Sequence, residues 1–239
     1  MLNPPPLVSV IIPVYNAEPY VAEAIESVLA QSYNHIEIIA VDDGSTDNSA
    51  AVVKRFPAVH YYTQPNAGIS ATRNRGIKQA QGDFLAFLDA DDVWVKEKLA
   101  LQLAAFEENA HLDVVFGHVK QFRSPELKTV PNNKPSTVEP LMPGHIPSTM
   151  LIKRDAFFRV GLFETNWKMG EFASWYLRSL EQGLQHIMLP DLVARRRVHE
   201  TNNGIQQRTS IHDYVHIIKA SLDRRRAAAL KREENKKHS

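Results

Sequence analysis

Carboxylates collect at two places in this chain, each directly after an apolar run. The first run, residues 36–41, leads into Asp42, Asp43, Gly44, Ser45, Thr46 and Asp47; the second, residues 84–88, leads into Asp89, Ala90, Asp91 and Asp92. Runs of this kind read as strands buried on both faces of a parallel sheet, and in open α/β sheets ligands bind beyond the carboxyl ends of such strands. Asp89 and Asp91 are two residues apart, so in extended backbone they project to one side. Two hard oxygen donors so placed suit Mg2+ or Mn2+ bridging a diphosphate. The alternative is that Asp91 or Asp92 caps a helix beginning near Lys96. A twelve-residue calcium loop is excluded, because counting from Asp89 puts Trp94 where glycine is required and Ala100 where glutamate is required. Asp42 and Asp43 sit at their strand end as the acidic residue of nucleotide folds does, able to accept hydrogen bonds from a base N–H or a ribose hydroxyl. Here the alternative is a helix running to Phe56, capped by Ser45 or Thr46, with Asp47 near the positive end of its dipole.

These acids need a frame, and the pattern supplies one. Residues 8–12 are a β-branched run closed by Pro13, with Tyr15 and Asn16 in the loop that follows. Val21, Ile25, Val28 and Leu29 recur at helical spacing. Residues 59–62 form a third strand, and a glycine-containing loop leads into a helix carrying Arg73, Asn74, Arg75 and Lys78. Arg73 falls in that helix's first turn, where a phosphate could lie; the alternative is a solvated cationic face. After the strand at 84–88, Leu99, Leu103 and Phe106 mark a helix and residues 114–116 a strand. Alternation of this kind predicts a doubly wound α/β sheet. Residues 124–147 are proline-rich and read as a long loop. Beyond them come a short amphipathic stretch at 150–160 ending at Gly161, and a helix over 171–181 with Phe172, Trp175, Tyr176 and Leu180 on one face. Two strands follow at 185–189 and 193–198, then a helix from 211 to 222 that continues into a basic tail.

Composition narrows the chemistry. The 239 residues are 44% hydrophobic and 23% charged, and contain no cysteine, so disulfides, thiolate metal sites and a cysteine nucleophile are excluded. No apolar stretch is long enough to span a membrane and the first strand starts too early for a secretory leader, so a cytoplasmic protein is expected. Residues 224–239 hold seven Lys and Arg against two Glu, while the whole chain is only +1. The main body is therefore net negative, and nucleic acid is not an expected partner. No Gly-x-Gly and no Gly-Lys pair occurs, so neither a dinucleotide fingerprint nor a P-loop is present.

Four segments, residues 8–16, 41–47, 66–76 and 89–92, resemble in order and spacing the motifs of the family 2 glycosyltransferases. The resemblance covers residues 7–115 and implies a GT-A fold, a mostly parallel, Rossmann-like sheet with a C-terminal acceptor-side elaboration. It implies a UDP- or dTDP-type nucleotide-sugar donor bound with Mg2+ or Mn2+. Carried over by position, Pro13 and Tyr15 pack on the base, Asp43 with Asp42 binds it, Arg73 contacts the nucleotide, and Asp89 meets the ribose, with Ala90 in the same donor-binding stretch. Asp91 is the metal ligand, and His199, in a run similar to the family's late Arg-x-His element, completes the metal or diphosphate site.

One departure stands out. Many members carry an aspartate after the Gly-Glu pair at the head of a late helix and use it as catalytic base, whereas this chain has Gly170, Glu171 and then Phe172. Glu171 is the nearby carboxylate, and we expect it to act as general base, lying beside the apolar face and looking into the cleft. The expected organisation is one GT-A domain over 1–222, with a nucleotide-sugar half at 7–115, an acceptor half at 116–222 and a basic tail at 223–239. The expected activity is inverting sugar transfer to a carbohydrate or lipid-linked acceptor hydroxyl, in cell-surface polysaccharide or glycoconjugate synthesis. The tail would give peripheral contact with the inner membrane face. The rival is a non-catalytic nucleotide-sugar-binding or scaffold protein on the same fold.

Overall fold

The computed structural model describes residues 5–124, 140–199 and 212–237. The proline-rich stretch expected to be a loop lies mostly outside them. The elements in order are β1 (Val8–Val14), α1 (Val21–Leu29), β2 (Ile36–Asp42), α2 (Ser49–Val53), β3 (Val59–Thr63), α3 (Ile69–Gln79), β4 (Phe84–Phe87), β5 (Val93–Trp94), α4 (Lys98–Glu108) and β6 (Val114–Arg123). They continue with β7 (Met142–Pro143), a 3-10 turn (Pro147–Thr149), β8 (Leu151–Lys153), α5 (Arg154–Val160), α6 (Glu171–Glu181), β9 (His186–Val198) and α7 (His212–Lys237).

One sheet has the order β3-β2-β1-β4-β8-β6-β9-β5, with β7 added on β6. β1 to β4 pair in parallel; β8 is antiparallel to both neighbours; β6 and β9 are parallel; β5 and β7 are antiparallel edges. The sheet is thus mostly parallel, with β8 inserted between two strands of the common direction. Alternate residues of β1 serve opposite cores, as the two-residue period of a strand requires. Val8, Val10 and Ile12 pack with Ile25, Val28, Leu99 and Phe106, while Ile11 packs with Ile77, Phe87, Phe116, Phe157 and Trp175 on the other face.

The structure corrects several details. Leu29 and Leu180 are 45% and 41% exposed, so neither belongs to its helix's buried face. The two late strands are one strand, β9, whose register against β6 shifts across Phe116 and His118. The slip falls where Pro190, lacking an N–H, cannot donate to the ladder. Helix α4 starts at Lys98, with Glu97 as its first flank, and helix α2 at Ser49, with Asn48 as its first flank. Asp91, Asp92, Ser45 and Thr46 are therefore not helix caps. Among the described residues no helix is long and apolar enough to cross a membrane.

Candidate active site

The parallel registers bring the acidic strand ends to one edge. Val14 lies opposite Asp42 and Ile11 opposite Phe87, so the loops after β1, β2 and β4 emerge side by side. Pro13 is buried within β1, and Tyr15, just beyond it, is 53% exposed. Asn16 takes the left-handed conformation (φ 46°), which asparagine tolerates because its short amide can bond locally. Its Oδ1 accepts the Thr46 N–H at 2.8 Å and its own N–H reaches Ser45 Oγ at 3.0 Å, stapling the first loop to the second.

At the end of β2 both carboxylates are buried and hydrogen-bonded. Asp42 accepts the Ser45 N–H and the Tyr61 hydroxyl, each at 2.8 Å. Burial, and then the bond to Asp42, push the Tyr61 hydroxyl up to about 12. Asp43 accepts the side-chain amide of Gln64 at 2.7 Å and the N–H groups of Ala67 and Gly68 at 2.9 and 2.8 Å. Gly68, at φ +86°, turns the chain into α3, so Asp43 fixes the start of the helix that carries Arg73.

The end of β4 is built differently. Asp92 is buried: its Oδ2 accepts the Ser148 hydroxyl at 2.8 Å and its Oδ1 the Arg197 N–H at 3.1 Å. Burial, followed by the neighbouring charges of Asp91 and Asp89, raises its pKa well above the usual carboxylate value. Its N–H closes a tight turn on the Asp89 carbonyl at 3.0 Å, and Ser148 Oγ also receives the Asp89 N–H at 3.3 Å. With that turn held, the side chains of Asp89 and Asp91 remain 33% and 25% exposed. Ala90, between them, is buried.

Two partnerships then draw in the distant parts of the chain. Asp91 Oδ2 lies 2.8 Å from His199 Nε2, and the imidazole rests on the Tyr20 ring at 4.6 Å. Arg197 Nε donates to the Asp91 carbonyl at 3.0 Å, and its guanidinium lies over Tyr20 and Phe122 while pairing with Glu23. Arg73, only 3% exposed, spans the cleft: one nitrogen donates to Asp89 Oδ1 at 2.6 Å, the other to Glu171 Oε1 at 2.7 Å. Burial opposes the charge of the guanidinium, but the two carboxylates outweigh it and its pKa is raised. Its Nε is buried without a partner. Glu171 is the first residue of α6, where the helix dipole favours an anion, and Gly170 before it takes the left-handed conformation that a side chain would strain. Phe172 is 8% exposed and stacks on Trp175 and Tyr176, so it belongs to the core.

Asp91 and His199 offer one carboxylate oxygen and one imidazole nitrogen. Among the described residues no group of three or more His, Asp or Glu is arranged to enclose an ion. Mg2+ and Mn2+ sites commonly combine one or two protein ligands with substrate phosphates and water, and this donor set fits that type rather than an all-protein cage.

All ten residues expected from the sequence therefore lie at or near one edge of the sheet, and the structure brings Arg73, Asp89 and Glu171 together, and Asp91 with His199. Sequence reasoning missed Ser148, Arg197 and Tyr20. Arg197 was visible in the basic run beside His199, whereas Ser148, just after the proline-rich stretch, carries no signal of its own.

A sheet of this order with acids at the β2 and β4 ends is the GT-A glycosyltransferase architecture. S. aureus TarS, residues 1–349 in complex with UDP, superposes with a TM-score of 0.64 at 25% identity, covering 81% of this chain and 61% of that one. The Pyrobaculum calidifontis mannosyltransferase PcManGT, in complex with GDP-Man and Mn2+, superposes with a TM-score of 0.62 at 20% identity, covering 83% and 59%. The model of glycosyl transferase family 2 matches residues 9–167, and the chain belongs to that family. TuaG of Bacillus subtilis, named for teichuronic acid biosynthesis, is 42% identical over 115 residues, 46% of each chain. The chain spans 64% of the Haemophilus influenzae glycosyltransferase it matches at 37% identity, and 18% of the Rickettsia felis one it matches at 46%.

Proposed function

We propose that this chain transfers a sugar, with inversion, from a UDP- or dTDP-type nucleotide sugar to an acceptor hydroxyl in cell-surface polysaccharide or glycoconjugate synthesis. The observation that carries the reading is the Arg73 bridge, which ties a donor-side carboxylate, Asp89, to an acceptor-side carboxylate, Glu171, next to the Asp91–His199 pair. Tyr15 is exposed to stack on the base. Asp43 has accepted three hydrogen bonds and keeps one lone pair, on Oδ2, for a base N–H. Asp89 takes a ribose hydroxyl. Asp91 and His199 hold the divalent ion, which when bound offsets the charge of the departing diphosphate.

On the acceptor side Glu171 does the work. Its Oε2 takes the proton as the acceptor oxygen bonds to the anomeric carbon and the bond from that carbon to the diphosphate breaks. Arg73 holds Oε1, keeping the carboxylate aimed. TarS in complex with UDP-GlcNAc supports the donor class, and TuaG the setting.

The test is incubation of the purified chain with Mn2+ and a panel of nucleotide sugars. Slow, metal-dependent donor hydrolysis is the expected result. Binding of a nucleotide sugar without any hydrolysis would favour the non-catalytic reading. Equal UDP affinity by calorimetry in EDTA and in Mn2+ would remove the metal from the proposal.

A further inference from the structure

Helix α7 is fixed to the body by one face. Asp213 Oδ2 accepts the N–H groups of Lys168 and Met169, each at 3.0 Å, and Ile217 is 1% exposed. A Cβ on Gly170 would come within 2.8 Å of Ile217 Cδ1, so the two segments meet directly before Glu171. Further along, Glu181 of α6 receives the Ser221 hydroxyl and the Arg224 guanidinium. These contacts set the rotation of the helix.

With that rotation the opposite face is apolar and bare. Val215, Ile218 and Leu222, spaced by three and four residues, are 64%, 54% and 45% exposed, while Tyr214 leans back against Gly170. Lys219 lies four residues after Val215 and Arg226 four after Leu222, while Arg225 follows Leu222 by three, so exposed cations flank the stripe. Asp223 falls on the far side of the helix. An apolar strip bordered by Lys and Arg is the pattern of a helix lying in a membrane interface. A second copy of the same face would bring like charges together, which disfavours self-association there.

We propose that residues 215–226 of α7 dock on an anionic lipid surface, apolar side down, and so hold the cleft headed by Glu171 beside that surface. The acceptor is then lipid-linked, a point that rests on the proposed transferase activity; the lipid contact itself does not. Each cation near such a surface is worth roughly a fivefold gain in partitioning.

Sedimentation of the full chain with vesicles tests it, comparing equal parts phosphatidylglycerol and phosphatidylcholine with phosphatidylcholine alone. The wild type should pellet with the anionic vesicles only, and less as salt is raised. Arg225→Ser/Arg226→Ser should weaken partitioning roughly twenty-five-fold, and Ile218→Ser/Leu222→Ser should abolish it. Both exposed-face variants should keep the wild-type melting temperature and UDP affinity, so loss of lipid binding is readable apart from any failure of the donor site. Indifference of the wild type to anionic lipid, or pelleting unchanged in both variants, would overturn the proposal. So would a wild-type dimer in solution that Ile218→Ser/Leu222→Ser converts to monomer.

Discussion

The ends of β2 and β4 both deliver a cluster of aspartates to the same edge of the sheet, yet they are finished in opposite ways. Asp42 and Asp43 are 2% and 4% exposed, and the donors to them all come from the next stretch of chain: Ser45 in the loop, Tyr61 on the adjoining strand β3, and Gln64, Ala67 and Gly68 between β3 and α3. The β4 end continues as Ala90, Asp91 and Asp92, which bring no hydroxyl or amide side chains. Its donors are Arg73, 16 residues earlier, and Ser148, Arg197 and His199, from 56 to 108 residues further along the chain. They satisfy Asp92 but leave Asp89 and Asp91 partly open. A carboxylate buried among such donors chiefly shapes a loop, whereas one left partly exposed keeps most of its lone pairs for something that arrives.

Damage at the open end should therefore appear first as lost activity, and damage at the closed end first as lost stability. The largest effect is expected for Asp91→Ala, which leaves His199 without its carboxylate partner: donor affinity in Mn2+ should fall by about 100-fold or more while the melting temperature changes little. Calorimetry with UDP reads the first and thermal unfolding the second. A variant that unfolded early but bound UDP normally would reverse the comparison.

Glu171→Gln comes next. The amide keeps the shape but cannot take up a proton, so turnover should drop by about 100-fold with donor affinity unchanged. Arg73 still has Asp89 in that variant, which protects the fold. Wild-type turnover with a true sugar acceptor would return the base to a carboxylate other than Glu171.

At the closed end, Asp43→Asn replaces one oxygen facing the Gln64, Ala67 and Gly68 donors with an NH2 group. The clash of donors should cost about 2 kcal/mol of stability, by urea titration, and loosen the start of α3. A variant as stable as the wild type would mean that the loop does not depend on this carboxylate.

How much of this was legible beforehand follows the same division. Strands β1 to β4 announced themselves through apolar runs, and the acids through their place after those runs, whereas the short β5, β7 and β8 did not. The helix over Glu171–Glu181 was predicted with those bounds, because its apolar period is strong. What could not be read was which acid faces which base. Arg73 and Glu171 are 98 residues apart, and nothing in a local pattern encodes that pairing; Asp91 and His199, 108 apart, were assigned to one site through the family resemblance alone. Likewise Pro190 did not announce that β9 would run through it, since a slip in register absorbs the missing donor.

The smallest effect is expected from Tyr61→Phe, and it tests the closed end by pH. The Tyr61 hydroxyl donates to Asp42 at 2.8 Å, and Lys54 lies over its ring at 4.9 Å, a contact that phenylalanine retains. Removing the hydroxyl should lower stability at neutral pH by about 1 kcal/mol, since Asp42 loses one of its two donors. Folding raises the pKa of this phenol from the usual 10 to about 12, through burial and then the bond to Asp42. Its stabilising share is therefore fully present below about pH 10 and is lost as pH rises through about 12, because the unfolded chain gives up the proton first. Other tyrosines, Tyr33 and Tyr176, are also raised by burial and steepen the alkaline limb in both proteins. The informative quantity is thus the difference between wild type and Tyr61→Phe, which should shrink from about 1 kcal/mol at pH 8 toward zero near pH 12. A gap that stayed constant across that range would mean that the hydroxyl matters through packing alone, and that Asp42 is not held closed by it.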